Sequence, residues 1–398
     1  MRRAAIVAPV RTPVGKFLGS LKGVAVEHLA ATVVNEVVAR SKIDPALIED
    51  VVFAQSYANG ETPCVGRWAA LQAGLPIEVP GLQIDRRCGG GLQAIATAAM
   101  MVETGAADVV IAGGVESMSN VEYYTTEMRG GARSGSSTLY DRLERGRERS
   151  QPVERFGVIS GMIETAENVA KECGIGREES DAFAAESHRR AAAAWKAGKF
   201  ADELVKVSVP QRKGDPVIVG EDDGVRADAT EASMAALKPI MKGGVVTAGN
   251  ASQQNDAAAG CLIVAEDKLA SLGLTPMGFL VGWSAVGCHP GTMGLGPAPA
   301  VAKLFKRTGL GWNDIDLVEL NEAFAAQVLG VLKQWGWDER DKLNVNGGGI
   351  SLGHPIAATG VRIAATLLHE MQRRQARYGL ETMCVGGGQG MAAVFERA

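Results

Sequence analysis

The chain has 398 residues, of which 46% are apolar and 22% charged, and a net charge of −4. That length exceeds one ordinary domain and predicts two, or two with an insertion. The balance of charge excludes a bulk basic field for nucleic acid or membrane, and no apolar run approaches the ~18 residues of a membrane span.

The first 17 residues, MRRAAIVAPVRTPVGKF, hold two early arginines and a short apolar stretch. Arg11 and Lys16 interrupt it too soon for a signal-peptide core, so residues 3–9 predict a buried first strand. Residues 26–40 carry apolar positions at helical spacing. DVVFAQ (50–55) predicts a strand, 62–73 a helix, and GLQIDRR (81–87) an extended segment. LQAIATAAMMVETG (92–105) predicts a helix of small apolar residues buried nearly all round, and ADVVIAGG (107–114) a strand ending in glycines. Residues 118–250 break the pattern. Seven arginines and four acids between 129 and 155 make that stretch locally +3, which fits a solvated loop or a surface facing phosphate or another subunit. A helix is expected at 179–198.

The C-terminal third returns to the earlier grammar. Strands are expected at 278–287, 315–320, 344–348 and 382–388, and helices at 298–309, from 321, and at 354–374. Alternating strands and helices predict a parallel or mixed α/β sheet. CGGGLQAIATAAM…ADVVIAGG and GHPIAATGVRIAATLL…ETMCVGGG read as two copies of one unit: turn, buried helix, glycine-tailed strand.

Glycine is the compositional outlier, at 50 residues, about one in eight against a usual ~7%. Its clusters at 88–91, 112–114, 346–349 and 386–390 predict tight turns and close backbone approach. Six cysteines (64, 88, 173, 261, 288, 384) show no CxxC pair and no zinc-like spacing, which favours free thiols in a reducing compartment and no metal site. Cys88 opens a helix with three glycines behind it. The helix dipole there favours a thiolate, and free N–H groups favour an oxyanion; the plainer reading is a small buried cysteine. Cys384 lies at the C-terminal end of a strand, where open α/β sheets place their sites. Among five histidines, His28, His188 and His369 fall in helical patterns and are expected on surfaces, and His289 precedes Pro290 in a loop. His354 occupies the turn matching that of Cys88 in the other repeat, so duplication would place the two opposite each other. Asn321, in NEAF, reads either as a helix N-cap or as a polar group offered to a site.

Taken together, RTPVGKF, Cys88 in CGGGLQA, AGGVESMS (112–119), TAENVA (165–170), GNASQQNDAAA (249–259), NEAFAAQ (321–327), GGGISLGHPIAATG (347–360) and CVGGGQGMA (384–392) resemble the thiolases over the whole chain and in the family's order. The resemblance implies a five-layered αβαβα fold of two duplicated halves: an N-terminal domain at 1–270, with a loop domain inserted at about 118–250, and a C-terminal domain at 271–398. It implies reversible acyl transfer between acyl-CoA and acetyl-CoA through an acyl-cysteine, with coenzyme A as substrate rather than cofactor. A dimer or tetramer is expected with it; the early interruption of the apolar stretch and the free thiols predict a cytoplasmic location, and the missing side chain at Gly161 a place in fatty acid breakdown.

Carried over by motif, Cys88 matches the acylated nucleophile, His354 the histidine that activates it and helps hold the thioester oxygen, and Cys384 the acid/base at the substrate α-carbon. Asn321 matches the asparagine that positions a water in the oxyanion site, and Gly386 the glycine whose N–H joins that of Cys88. Arg226, Ser233, Met234, Leu237, Ala248 and Ser252 match coenzyme A contacts, and Met162, Met293 and Phe324 the acyl-pocket lining. Four departures stand out: Gly90 replaces a serine, Asp85 an asparagine, Gly349 and Ser351 alanines, and Gly161 the histidine of short-chain biosynthetic members. The last predicts a broader acyl pocket. A decarboxylating condensing enzyme is disfavoured because such enzymes lack the second cysteine, and a non-catalytic acyl-CoA binder because all catalytic positions are filled.

Overall fold

The computed structural model describes residues 2–398. Nine strands carry the fold: β1 (Ala4–Arg11), β2 (Asp50–Ala54), β3 (Leu82–Ile84), β4 (Val109–Ser117), β5 (Asn255–Ala265), β6 (Gly278–Gly287), β7 (Leu317–Leu320), β8 (Tyr378–Val385) and β9 (Gln389–Arg397). They lie in the order β7-β8-β9-β6-β1-β5-β4-β2-β3, and the two-residue strand Gly15–Lys16 beside β5 completes a ten-stranded sheet. The join between the halves is narrow, made by Ala5 opposite Phe279 and Ile6 opposite Gly278.

The duplication is visible in strand directions. In the first half β1 and β5 are antiparallel, β5 and β4 antiparallel, and β4 and β2 parallel. In the second, β6 and β9, β9 and β8, and β8 and β7 repeat that series. Each parallel pair is bridged by a buried helix, α3 (Gly90–Thr104) before β4 and α8 (Thr359–Arg374) before β8. These two helices cross at glycines. A Cβ on Gly360 would lie 2.1 Å from the Leu92 nitrogen, and one on Gly91 2.8 Å from the Ala357 carbonyl oxygen. Only glycine allows that approach.

Three apolar cores, the middle one shared by both halves of the sheet, lie between five layers. Helices α1 (Val26–Ser41) and α2 (Val65–Gln72) cover the outer face of the first half. Helices α3 and α8 fill the middle between both halves. Helices α6 (Pro297–Thr308) and α7 (Ala325–Trp335) cover the outer face of the second half. The intervening segment adds α4 (Met162–Cys173), α5 (Arg177–Lys196) and long turns that lean on the site.

Several sequence expectations shift. Strands β5 and β9, central and antiparallel, carry no clear pattern, because NDAAAGCLIVA and GMAAVF are rich in alanine, a weak strand former, and are buried on both faces. Asn321 is not an N-cap: β7 ends at Leu320, and α7 begins at Ala325 with Phe324 before it. The 344–348 segment forms isolated bridges rather than a strand. His188 is buried, not on the surface, with its Nδ1 accepting the Arg226 N–H at 3.2 Å.

Candidate active site

Cys88 sits on a single 3-10 turn, Arg87–Gly89, at the entrance of α3. Arg87 before it has φ +47°, a left-handed conformation held by its N–H donating to Asp85 Oδ1 at 2.7 Å. The unusual Asp85 therefore braces the turn that presents the thiol. That turn packs against both the Ile356–Ala358 turn and the end of β8. The backbone N–H groups of Gly386 and of Cys88 itself lie near enough to the Cys88 sulfur to act against the rise of its thiol. Backbone N–H groups close to the nucleophile are what an oxyanion on its acyl derivative requires.

The expected thiolate is not what rests there. Burial raises the Cys88 thiol above its ordinary value, outweighing the two N–H donors and nearby Arg87. Burial pushes Cys384 up further, with Cys88 and Cys288 close enough to add to it. Both thiols are therefore protonated at neutral pH, and Cys88 needs a base.

His354 lies in a buried turn between Gly353, at φ +103°, and the helix that follows. Its N–H donates to Asn255 Oδ1 at 2.8 Å, which ties the turn to β5. Burial, with Arg362 nearby, lowers the imidazole to about 3, so the ring is neutral across the physiological range. Thr359 Oγ1 is 2.6 Å from Nδ1 and also donates to Pro355 O at 3.2 Å. With its hydrogen committed to Pro355, the hydroxyl accepts from Nδ1–H, which leaves Nε2 as the free base. Asn321 Nδ2 lies 3.4 Å from Nε2. Asn321 Oδ1 is buried with no protein partner, and a Cβ on Gly349 would come within 2.8 Å of it. The Gly349 departure thus leaves room beside the amide. No hydrogen bond joins Cys88 to His354 among the described residues, a looseness usual before substrate binds.

Cys384 shares an apolar cluster with Met293, Phe324, Met162, Ile163 and Val246. All three expected pocket-lining residues are thus brought to the second thiol. Phe156 of the covering segment meets His289 edge-on at 5.7 Å. Gly161, at φ +155°, opens onto space: a Cβ there would meet nothing within 4 Å. Gly90 has little such room, since a Cβ there would lie 2.9 Å from that of Ala54.

The expected coenzyme A residues are less uniform. Met234 is buried and Leu237 half-buried against Ala325 and Ile350, with Gly249 pressed between them. Ser252 donates its N–H to Ala323 O at 2.9 Å, beside the bridge from Ala251 to Phe324. Arg226 and Ala248 are exposed, and Ser233 is exposed with its hydroxyl engaged by Thr230 in a capping box.

Three supports escaped the sequence reading. They are Thr359, Asn255 and Glu116, whose carboxylate accepts from the N–H groups of Ser56, Tyr57 and Ala357 and so ties the nucleophile side to the histidine turn. Burial raises Glu116 to about 7 despite those donors. The spacing His354–Thr359 and the motif glutamate were visible, but nothing in a sequence shows what a side chain accepts.

A match to the family model for the thiolase N-terminal domain covers residues 4–267, and a match to that for the thiolase C-terminal domain covers 274–397. The chain belongs to the thiolase family. It is 46% identical over 395 residues to an acetyl-CoA acetyltransferase of Chromobacterium violaceum, covering 99% of each chain. It is also 46% identical to beta-ketothiolase BktB of Cupriavidus necator, covering 100% of this thiolase and 99% of that relative. Among solved structures, the Bacillus anthracis acetyl-CoA acetyltransferase superposes with a TM-score of 0.95 at 41% identity, and human mitochondrial 3-ketoacyl-CoA thiolase with 0.93 at 36%, each match covering 100% of this chain and 99% of the other. This thiolase is accordingly an acyltransferase, with the mixed α/β thiolase fold and the reversible thiolytic cleavage and condensation of its family.

Proposed function

We propose that this thiolase works through Cys88, with each remaining site residue in the role its surroundings suit. The observation that carries the reading is the packing of the Cys88 turn against both the end of β8 and the Ile356–Ala358 turn, which sets the thiol beside the Gly386 N–H and the neutral His354–Asn321 pair. His354 Nε2 takes the Cys88 proton as the sulfur attacks the thioester carbonyl, and the two N–H groups receive the oxyanion. The acyl group moves to sulfur and coenzyme A thiol leaves. In the condensing direction, Cys384 first passes its own proton to His354 and then, as the thiolate, removes an α-proton from the second thioester while the imidazolium and a water on Asn321 hold the enolate oxygen. The Cys88 thiolate released on carbon–carbon bond formation takes the proton back from His354. In thiolysis, the protonated Cys384 returns that proton.

Arg226, Ser233, Met234, Leu237, Ala248 and Ser252 are proposed to border the coenzyme A path. The buried Met234–Leu237 platform supports this best, and Ser233 enters through its backbone rather than its occupied hydroxyl. Met162, Met293 and Phe324 are proposed to hold the acyl chain. The space at Gly161 supports an acyl group broader than acetoacetyl, and with it a role in fatty acid breakdown. A chain-length series of 3-ketoacyl-CoA substrates with free coenzyme A tests this, and a sharp optimum at four carbons overturns it.

The domain division at 1–270 and 271–398, the loop domain at 118–250, the cytoplasmic location and an assembly of two or four copies belong to the same proposal. Strand β3 supports assembly: among the described residues it pairs only with β2, and Leu82, Trp68, Leu71 and Ile77 are exposed around it. A cavity of about 430 Å³ beside it is lined by Arg87, Arg142, Arg145 and Arg149, which gives the arginine run a candidate subunit-facing use. No helix among the described residues is long and apolar enough to cross a membrane.

A further inference from the structure

Behind the catalytic turns lies a group of buried ionisable side chains that the reaction does not use. In β7, Val318 and Leu320 face the outer core, so Leu317 and Glu319 face the central layer, and Asn321, just past the end of the strand, meets His354 on that side. In β8, Leu380 faces outward and Glu381, Met383 and Val385 face the centre. Glu319 and Glu381 are direct partners across the parallel pair, so their side chains leave the sheet side by side. Facing them on α8 is Arg362. It is 1% exposed, and Glu319 and Glu381 are 3% and 0% exposed.

This group is not closed by protein contacts. Nε, Nη1 and Nη2 of Arg362 have no protein partner, nor do Oε1 and Oε2 of Glu381. One turn along α8, Thr366 donates to Glu203 Oε1, and Arg11 donates to the same oxygen, but Glu203 Oε2 is again unpartnered. A buried guanidinium and carboxylate each need several hydrogen bonds to be tolerated away from water. Six unpartnered polar atoms around one spot fit bridging water, which commonly makes about three hydrogen bonds in such interiors. Burial raises both carboxyls, Glu319 to about 8, so the two side-by-side acids hold fewer than two negative charges opposite Arg362.

We infer that Arg362, Glu319 and Glu381 enclose an internal water cluster and act through it as positioning residues for the catalytic set. Its walls are the elements that carry the chemistry. Glu319 lies two residues before Asn321, on the stretch of β7 that leads into it. Glu381 precedes Cys384 on β8, whose Thr382 carbonyl accepts the Asn321 N–H at 3.0 Å. Arg362 lies on the helix whose first residue, Thr359, holds the His354 ring. A bridged cluster fixes the spacing of β7, β8 and α8, and so the distance from Asn321 and His354 to the thiols.

The tests use the full-length protein. A high-resolution crystal structure of the wild type is expected to show ordered waters within hydrogen-bond reach of both the Arg362 guanidinium and the Glu381 carboxyl. Direct Arg362–Glu381 contact with no water between them would overturn the inference. In thiolysis assays, Glu381→Leu is expected to lower kcat about tenfold or more at unchanged KM, because displacement of reacting groups acts on the chemical step. Glu381→Gln, which keeps the hydrogen bonds, is expected to recover most of that loss. Wild-type kcat in Glu381→Leu would contradict the positioning role. Should Glu381→Leu not fold, Arg362→Lys replaces it, with the same kcat loss expected and unchanged kcat counting against. Wild-type turnover tests the thiolase reaction itself; the ratio of variant to wild type tests the water cluster.

Discussion

The hydroxyl of Thr359 lies 2.6 Å from Nδ1 of His354, five residues earlier on the same turn. Because that hydroxyl also donates to Pro355 O, it orients the ring and keeps the Nδ1 proton in place. Thr359→Val preserves shape and removes the acceptor. We expect kcat to fall about 10–100-fold, within the range general-base assistance supplies, with KM little changed. Steady-state thiolysis across pH checks this; an unaltered kcat would separate the hydroxyl from catalysis.

Cys384→Ala should uncouple the two half-reactions. Cys88 keeps its N–H donors and its base, so acetyl transfer to sulfur should continue, while carbon–carbon cleavage and condensation stop. Rapid mixing with acetyl-CoA should show a burst of coenzyme A release without turnover to product. Loss of the burst as well would assign Cys384 to the first step instead.

Gly161→His should narrow substrate choice. The position is open, although its φ of +155° strains any side chain, and it adjoins Met162 of the Met293–Phe324 cluster. An imidazole there fills space on the acyl side, and one or two methylenes of lost room are worth about 1–3 kcal/mol, or 10–200-fold, in discrimination. The ratio of kcat/KM for C8 over C4 substrates is expected to fall by that order. An unchanged ratio would place the acyl chain elsewhere.

Gly360→Ala should damage the fold rather than the chemistry alone. The new Cβ meets the Leu92 backbone at 2.1 Å, which no rotamer change relieves. We expect destabilisation of about 3 kcal/mol or more, at or beyond the upper end for overpacking a tight core. Denaturant unfolding beside Gly60→Ala, at a position with open space and no left-handed φ, separates overpacking from the conformational effect of losing glycine.

Stability should fall as pH rises through neutrality. Glu116 is raised to about 7 in the folded protein, so the fold binds this proton more tightly than the unfolded chain does. Its contribution is fully present below the ordinary carboxylate range and is lost as pH climbs through about 7. His354 acts at the other end: its depression to about 3 is a contribution present above the ordinary imidazole value and lost as pH falls toward 3. Melting curves of Glu116→Gln should lose part of the decline between about pH 5 and 8. A wild-type-like slope would mean that Glu116 does not bind that proton.

Much of this was legible in the sequence, for physical reasons particular to each element. The glycines at 91 and 360 stand where helices cross, so the repeat that carries them shows in composition as well as in space. The thiols and His354 sit in turns whose motifs are short and distinctive. Strands β5 and β9 were hidden because buried central strands lack alternation, and their alanines carry no strand signal. Asn321 misled as a cap because Asn, before a helical run, has two uses, and only the end of β7 decides between them. Cys88 misled in the opposite direction. The helix end does favour a thiolate, but desolvation, which depends on the folded surroundings, outweighs it. Glu116 and Arg362 act through partners far along the chain, which spacing cannot reveal, and Thr359, although only five residues from His354, gives no sign in the sequence of what its hydroxyl accepts.

The most direct test is proteolysis and mass spectrometry of the wild type and Cys88→Ala after brief exposure to acetyl-CoA. An acetyl adduct on the peptide holding Cys88, absent from the variant and discharged by free coenzyme A, is the predicted result. An adduct on the Cys384 peptide alone, or turnover that survives Cys88→Ala, would contradict the assignment of the nucleophile.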